Sequence, residues 1–184
     1  MKYEILKDEF IEFDGRKLYR IKALKDFHNV KEGEFGGYIE YERNLSHEGD
    51  AWVYGNAWVY DNARVSGDAR VYDNAQVSGD AWVYGDARVS GDAQVSGDAR
   101  VSGDAQVSGD ARVLNRHYVV WFSNVGTENG TLTVYCGKNG LIATRGCFTG
   151  SVEEFLAKSA EVHDEKTKRE YELLIEVARS RLEE

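Results

Sequence analysis

Residues 50–113 read DAWVYGNAWVYDNARVSGDARVYDNAQVSGDAWVYGDARVSGDAQVSGDARVSGDAQVSGDARV, one six-residue phrase repeated with almost no variation. Alanine recurs every six residues from Ala51 to Ala111, and valine follows each alanine by two, from Val53 to Val113. That makes eleven Ala-x-Val units without an insertion or a deletion. A strict short period means a solenoid, in which each unit buries its apolar side only against its neighbours. Ala and Val two apart point to one side of an extended segment, and the residue between them points to the other. The inward side therefore carries one small and one β-branched group, and the outward side carries Trp, Arg or Gln. Gly-Asp, Gly-Asn and Asp-Asn pairs turn the chain between units, because these residues tolerate tight turns and left-handed backbone.

The phrase resembles the hexapeptide-repeat family, and Val-Ser-Gly-Asp-Ala-Arg at residues 65–70 carries its pattern of an aliphatic residue followed by small and polar positions. The resemblance implies a mainly β chain built on a left-handed parallel β-helix of about four triangular coils, three units per coil. The left hand comes from the resemblance alone, since general crossover rules favour the right. With three units per coil, residues eighteen apart stack at the sheet spacing of about 4.8 Å. Face one then stacks Trp52, Arg70, Arg88 and Gln106; face two stacks Trp58, Gln76, Gln94 and Arg112; face three stacks Arg64, Trp82 and Arg100.

Before the repeats, residues 1–27 alternate apolar and polar around Asp14-Gly15, a strong hairpin signal. Ile39 and Leu45 lie twelve and six residues before Ala51, which extends the repeat phase back to about Gly36 and puts His47 in a valine position. A β-helix end exposes unpaired backbone, so a cap is expected over residues 1–35, with the solenoid over 36–114. After Val113 the pattern changes. Strands are predicted over 116–125, 131–136 and 141–144. Two helices follow, one opening at Ser151 with Glu154 as a capping box and one over 166–182. Residues 115–184 thus read as a small α+β domain able to seal the far end of the solenoid.

The chain has 184 residues, a net charge of −9, no proline and two cysteines. Such acidity argues against direct nucleic-acid or anionic-membrane binding, and no apolar run reaches membrane-spanning length. Two cysteines build no disulfide framework, and the charged start is unlike a signal peptide, so the cytoplasm is the expected compartment.

Outward aromatics crowd the first coils: Trp52, Tyr54, Trp58, Tyr60, Tyr72, Trp82 and Tyr84. Clustered Trp and Tyr form the candidate contact surface. Asp or Asn precedes every alanine, and residues 50–113 hold ten Asp against five Arg. The corner carboxylates Asp86, Asp92, Asp98 and Asp104 therefore offer a second contact candidate, an acidic rod that imitates a nucleic-acid backbone, beside the plainer reading of turn chemistry.

Catalytic signals are thin. Hexapeptide acyltransferases generally use a solenoid His as general base, and residues 50–113 contain neither a His nor a loop. Cys136 and Cys147 with His117 and His163 match no common zinc spacing. Gly146-Cys147-Phe148-Thr149-Gly150 just before a helix has the look of a nucleophile on a turn, but no partner base is identified. No enzyme, metal or cofactor is expected.

The layout of all three segments resembles hypothetical proteins of bacteriophages and prophages. Gly36-Gly37-Tyr38-Ile39-Glu40, Asn44-Leu45-Ser46, the repeats and Gly146 to Gly150 carry that likeness. It implies a context and no mechanism. The expectation is a non-enzymatic binding protein with a host or phage protein as partner, most specifically an inhibitor of an anti-phage defence complex, and a homo-oligomer. An acyltransferase, a nucleotide-signal sponge and a structural phage protein are the alternatives.

Overall fold

The computed structural model describes residues 1–182, all but the last two. Strand β1 (Tyr3–Phe13) and strand β2 (Arg16–Ala23) form the expected hairpin, with Asp14 and Gly15 both at positive φ. Strand β3 (Phe35–Ile39) joins the hairpin to the solenoid, pairing antiparallel with β2 and parallel with the first coil.

Eleven two-residue strands follow, one per repeat. Face one holds β4 (Trp52–Val53), β7 (Arg70–Val71), β10 (Arg88–Val89) and β13 (Gln106–Val107). Face two holds β5 (Trp58–Val59), β8 (Gln76–Val77), β11 (Gln94–Val95) and β14 (Arg112–Val113). Face three holds β6 (Arg64–Val65), β9 (Trp82–Val83) and β12 (Arg100–Val101). Within each face the strands are parallel and eighteen residues apart, as the period requires. Every repeat Ala and Val is buried, so the core is one column of methyl and isopropyl groups. Each Val contributes roughly 1.5–3 kcal/mol before chain entropy is subtracted.

The corners explain the Asp/Asn that precedes each alanine. Asp61 and Asp73 hold left-handed backbone (φ 57° and 61°) where other units have Gly, and each carboxylate accepts the N–H of the Gly one coil on, Gly79 and Gly91. Asn62 and Asn74 donate to Asp80 and Asp92 in the next coil (both 3.1 Å). A neutral amide above a carboxylate removes the repulsion that two stacked carboxylates would create.

The phase breaks once. Ile39 pairs with Val59 and Leu45 with Val65, twenty residues apart rather than eighteen. Both therefore sit in valine positions, and the expected alanine phase for them is corrected by two residues. The extra pair lies in the 46–50 turn, which takes His47 out of the repeat. His47 packs on Tyr3 (ring centroids 4.3 Å), accepts from the Lys2 N–H at Nδ1 and contacts Glu42 at Nε2.

Coil stacking has a direction, and each end needs opposite chemistry. The N–H groups of one coil donate to the carbonyls of the next, as Trp52 does to Ala69 and Arg70 to Ala87. The first coil is left with free carbonyls and the last with free N–H groups. Donors cover the first end: Lys2 Nζ reaches the Gly49 and Ala51 carbonyls (3.2 and 2.7 Å), Tyr3 Oη that of Leu45, and Asn44 Nδ2 that of Ala63. Acceptors cover the last: Gln106 N–H donates to Thr133 Oγ1 and Ser108 N–H to Tyr135 Oη, each at 3.0 Å.

Those acceptors lie on a four-stranded antiparallel sheet of β15 (Val119–Val125), β16 (Gly130–Gly137), β17 (Gly140–Arg145) and β18 (Phe148–Ser151). Helices α1 (Val152–Val162) and α2 (Glu165–Leu182) pack on its other side around Phe155, Tyr171 and Ile175. The Ser151–Glu154 capping box forms as read from sequence. The fourth strand was not expected, and it separates Cys147 from the helix. Helix α2 covers the predicted 166–182, and the last two residues of the expected 115–184 domain lie outside the described residues.

Tyr135→Phe keeps the ring, which is fully buried, and leaves the Ser108 N–H without its acceptor. An orphaned buried donor costs about 1–2 kcal/mol. Urea unfolding should show that loss while the far-ultraviolet spectrum of the folded state stays unchanged.

Candidate contact surface on the third face

The seven aromatics do not form the one exposed surface expected of them, and Trp52 departs from it furthest. It is 0% exposed, because Phe27 and Tyr3 of the N-terminal segment close over it at 5.3 and 6.1 Å between ring centroids. Tyr60 is buried and Trp58 half-buried, both against Phe13 at the tip of β1 (5.8 and 5.1 Å). An ion pair from Arg16 to Asp61 (2.9 Å) holds that tip on face two. These three residues bind the cap, so they are removed from the candidate surface. The hairpin extends face two directly, which is why it shields that side.

Tyr54 and Tyr72 stand one coil apart at an edge, in an edge-to-face contact of 6.4 Å. With Arg70 and Arg88 they line a shallow groove of about 310 Å³ on face one. His28 contacts Arg70 at the upper end of this face.

Face three is the uncovered side. Trp82 is 38% exposed and lies between Arg64 above and Arg100 below, each guanidinium 5.8 Å from its ring. Tyr84 leans on it at 5.6 Å. Stacking at the coil spacing creates this arrangement: register alone puts Arg, Trp and Arg in one column. Cation–π attraction of about 0.5–1 kcal/mol per exposed pair then keeps the two cations beside the ring. Arg43, Asn62 and Asp80 complete a groove of about 350 Å³ with Arg64 and Trp82. Below Arg100, a cavity of about 320 Å³ opens toward Arg116, His117, Trp121 and Arg181.

The four aspartates also separate. Asp86 and Asp104 share one corner column, eighteen residues apart, while Asp92 lies on the second corner and Asp98 on the third. Asp98 is taken by Arg116, which donates to it from Nε and Nη2 (both 2.6 Å), and its carboxyl is held below its ordinary value first by the Arg116 peptide N–H and then by those side-chain bonds. Asp92 accepts from Asn74. Of the four, Asp86 and Asp104 border face three with no hydrogen bond or ion pair among the described residues, and they continue a corner column that begins with Asp50 and Asp68.

The residues considered for chemistry are dispersed. Cys136 is half-buried beside the Leu182 carbonyl, with its thiol pushed up by burial, and His117 lines the cavity below Arg100. Cys147 and His163 line a different cavity, inside the C-terminal domain. Among the described residues no three His, Cys, Asp or Glu side chains gather into a metal-binding group, and no helix is long and apolar enough to cross a membrane.

The coils, register and buried Ala/Val columns define a repeat-based β-solenoid protein. A family model described as the YdcK beta solenoid repeat matches residues 57–73, 63–79, 69–85 and 93–105, all within the coils. No curated protein matches the chain.

Proposed function

We propose that the chain is a non-enzymatic binding protein that engages a protein partner through face three, centred on Trp82 with Arg64, Arg100 and Tyr84. One observation carries this reading: three identical Ala-Trp-Val-Tyr phrases occur, and only the one at 81–84 keeps its Trp exposed. Trp, Arg and Tyr are the residue types that dominate binding energy at protein interfaces. Asp86 and Asp104 at the border act as rim charges, which set encounter rate and salt dependence more than affinity.

In its most specific form the partner belongs to a bacterial anti-phage defence complex and the site of action is the host cytoplasm. What supports this is the resemblance of Gly36–Glu40, Asn44–Ser46 and Gly146–Gly150 to phage and prophage proteins. Nucleic-acid mimicry is the less favoured version, since only the Asp50–Asp68–Asp86–Asp104 corner is aspartate throughout, while the other two corners carry Asn56, Asn74 and Asn62. A second copy of the chain is the other occupant that hexapeptide-repeat proteins would lead one to test.

Affinity capture from phage-infected cells, with wild type, Trp82→Ala and the Asp86→Asn/Asp104→Asn pair in parallel, tests the proposal. A stoichiometric protein should be retained by wild type, weakened at least about tenfold by Trp82→Ala and changed little by the aspartate pair at physiological salt. Retention by Trp82→Ala sinks the face-three site. Self-association abolished by Trp82→Ala, with nothing else captured, assigns the face to oligomerisation instead.

A further inference from the structure

The C-terminal domain holds a second cavity, remote from face three, of about 210 Å³. It lies between the β15–β16 turn, the β17–β18 turn and the end of α1. Its floor is aromatic: Phe148, Phe155 and Tyr171 pack edge to face at 5.5 and 5.0 Å. One polar atom on the wall lacks the partner that burial normally demands, and a polar group beside it makes no hydrogen bond among the described residues. Arg145 Nε is buried without a hydrogen bond, and among the described residues Arg145 makes one, from Nη2 to the Val125 carbonyl (3.2 Å). Tyr171 is 2% exposed, and no hydrogen bond engages its hydroxyl among the described residues.

Both groups are seated deliberately. A Cβ on Gly126 would collide with the Tyr171 hydroxyl, and one on Gly130 with the Arg145 guanidinium. Two glycines of one hairpin turn thus make room for two polar heads that together make one hydrogen bond, Arg145 to the Val125 carbonyl, among the described residues. Arg145 is half-buried, and a guanidinium nitrogen buried without a partner is costly, so native proteins normally pair such atoms. The nearby carboxylates do not serve it: Glu170 accepts the Gly126 N–H (3.0 Å) and Glu128 is exposed on the rim.

We propose that this cavity binds a small organic acid, its carboxylate between Arg145 and the Tyr171 hydroxyl and its apolar body on Phe148 and Phe155. A planar guanidinium fork suits a carboxylate, and a dry aromatic floor suits a ring or short chain. The motif Gly146 to Gly150 gains a role here, since Cys147 and Phe148 line the mouth and the floor.

Cys147 supplies the assay. It is exposed at the mouth, whereas Cys136 is half-buried with a raised thiol pKa and serves as a slow internal reference. Alkylation of the full chain is followed with benzoate, hexanoate, benzyl alcohol and inorganic phosphate as probes. Benzoate or hexanoate should slow modification of Cys147 but not of Cys136, and the neutral alcohol should not. Arg145→Met should weaken that protection about tenfold, and Tyr171→Phe, which keeps the buried ring, a few-fold. Glu128→Gln should strengthen it by removing a like charge from the rim.

Equal protection by benzyl alcohol, or by phosphate alone, overturns the proposal, as does its persistence in both Arg145→Met and Tyr171→Phe. So does a complete lack of protection at about 10 mM acid, below any useful affinity. Loss of stability in Glu128→Gln without a gain in acid binding would assign Arg145 to Glu128 and overturn it too.

Discussion

Trp52→Ala is expected to cost about 3–5 kcal/mol, the range for truncating a large aromatic in a packed core. Trp82→Ala, in the identical phrase at 81–84, should cost about 1–2 kcal/mol, the worth of its two exposed cation–π contacts. The indole of Trp52 fills the space between β4, Phe27 and Tyr3, against Gly36, where no side chain intervenes. Its removal leaves a cavity between the cap and the first coil, so the cap should loosen first. Trp52→Phe should recover part of the loss, and more readily because the Trp52 Nε1–H has no hydrogen-bond partner among the described residues to forfeit. Urea titrations of the three variants, with hydrogen exchange read separately over residues 1–45 and 57–113, would measure this. Equal costs at 52 and 82 would mean that the N-terminal segment does not cover face one in solution.

That pair also shows where sequence reasoning stops. The register of all eleven units was legible, because an unbroken period leaves one way to stack Val on Val. The hairpin was legible from Asp14-Gly15, and the C-terminal helices from their apolar stripes and the Ser151–Glu154 box. Yet Ala-Trp-Val-Tyr at 51–54 and at 81–84 are identical, and only a segment distant in sequence distinguishes a core Trp from a surface one. The two-residue slip at the first coil was hidden for a related reason. Ile39 and Leu45 are themselves six apart, so they look in phase with the repeats until their strand partners are known. Strand β18 was missed because Phe-Thr-Gly-Ser has no alternation; it exists through backbone pairing with β17. Arg145 and Tyr171 lie twenty-six residues apart, each ordinary in its own element.

The direction of coil stacking yields the last expectation, a stability that rises between pH 8 and 10. The free carbonyls at the first coil need a donor, and Lys2 supplies an ammonium group at the cost of burying a charge. Burial lowers its pKa to about 8, with Lys25 adding to the depression and Asp50 and Asp68 opposing it. Below pH 8 the group is charged both folded and unfolded, and the full cost of burial is present. Between 8 and the ordinary value of 10.5 the unfolded chain holds the proton and the folded chain does not, so stability increases with pH. Tyr3 acts in the opposite sense: burial raises its pKa, and its contribution declines once the unfolded phenol ionises above about pH 10. The gain from Lys2 at pH 10 is therefore about 2–3 kcal/mol, two units at about 1.4 kcal/mol each. The neutral amine still donates to Gly49 and Ala51, so the cap is retained as the charge leaves. Urea midpoints at several pH values for wild type and Lys2→Met isolate the effect, since the other titrating groups, Cys136 included, are common to both. The difference should widen by that amount in favour of wild type from pH 7.5 to 10. A constant difference would place the Lys2 ammonium in water, and the first coil's carbonyls would then need another donor.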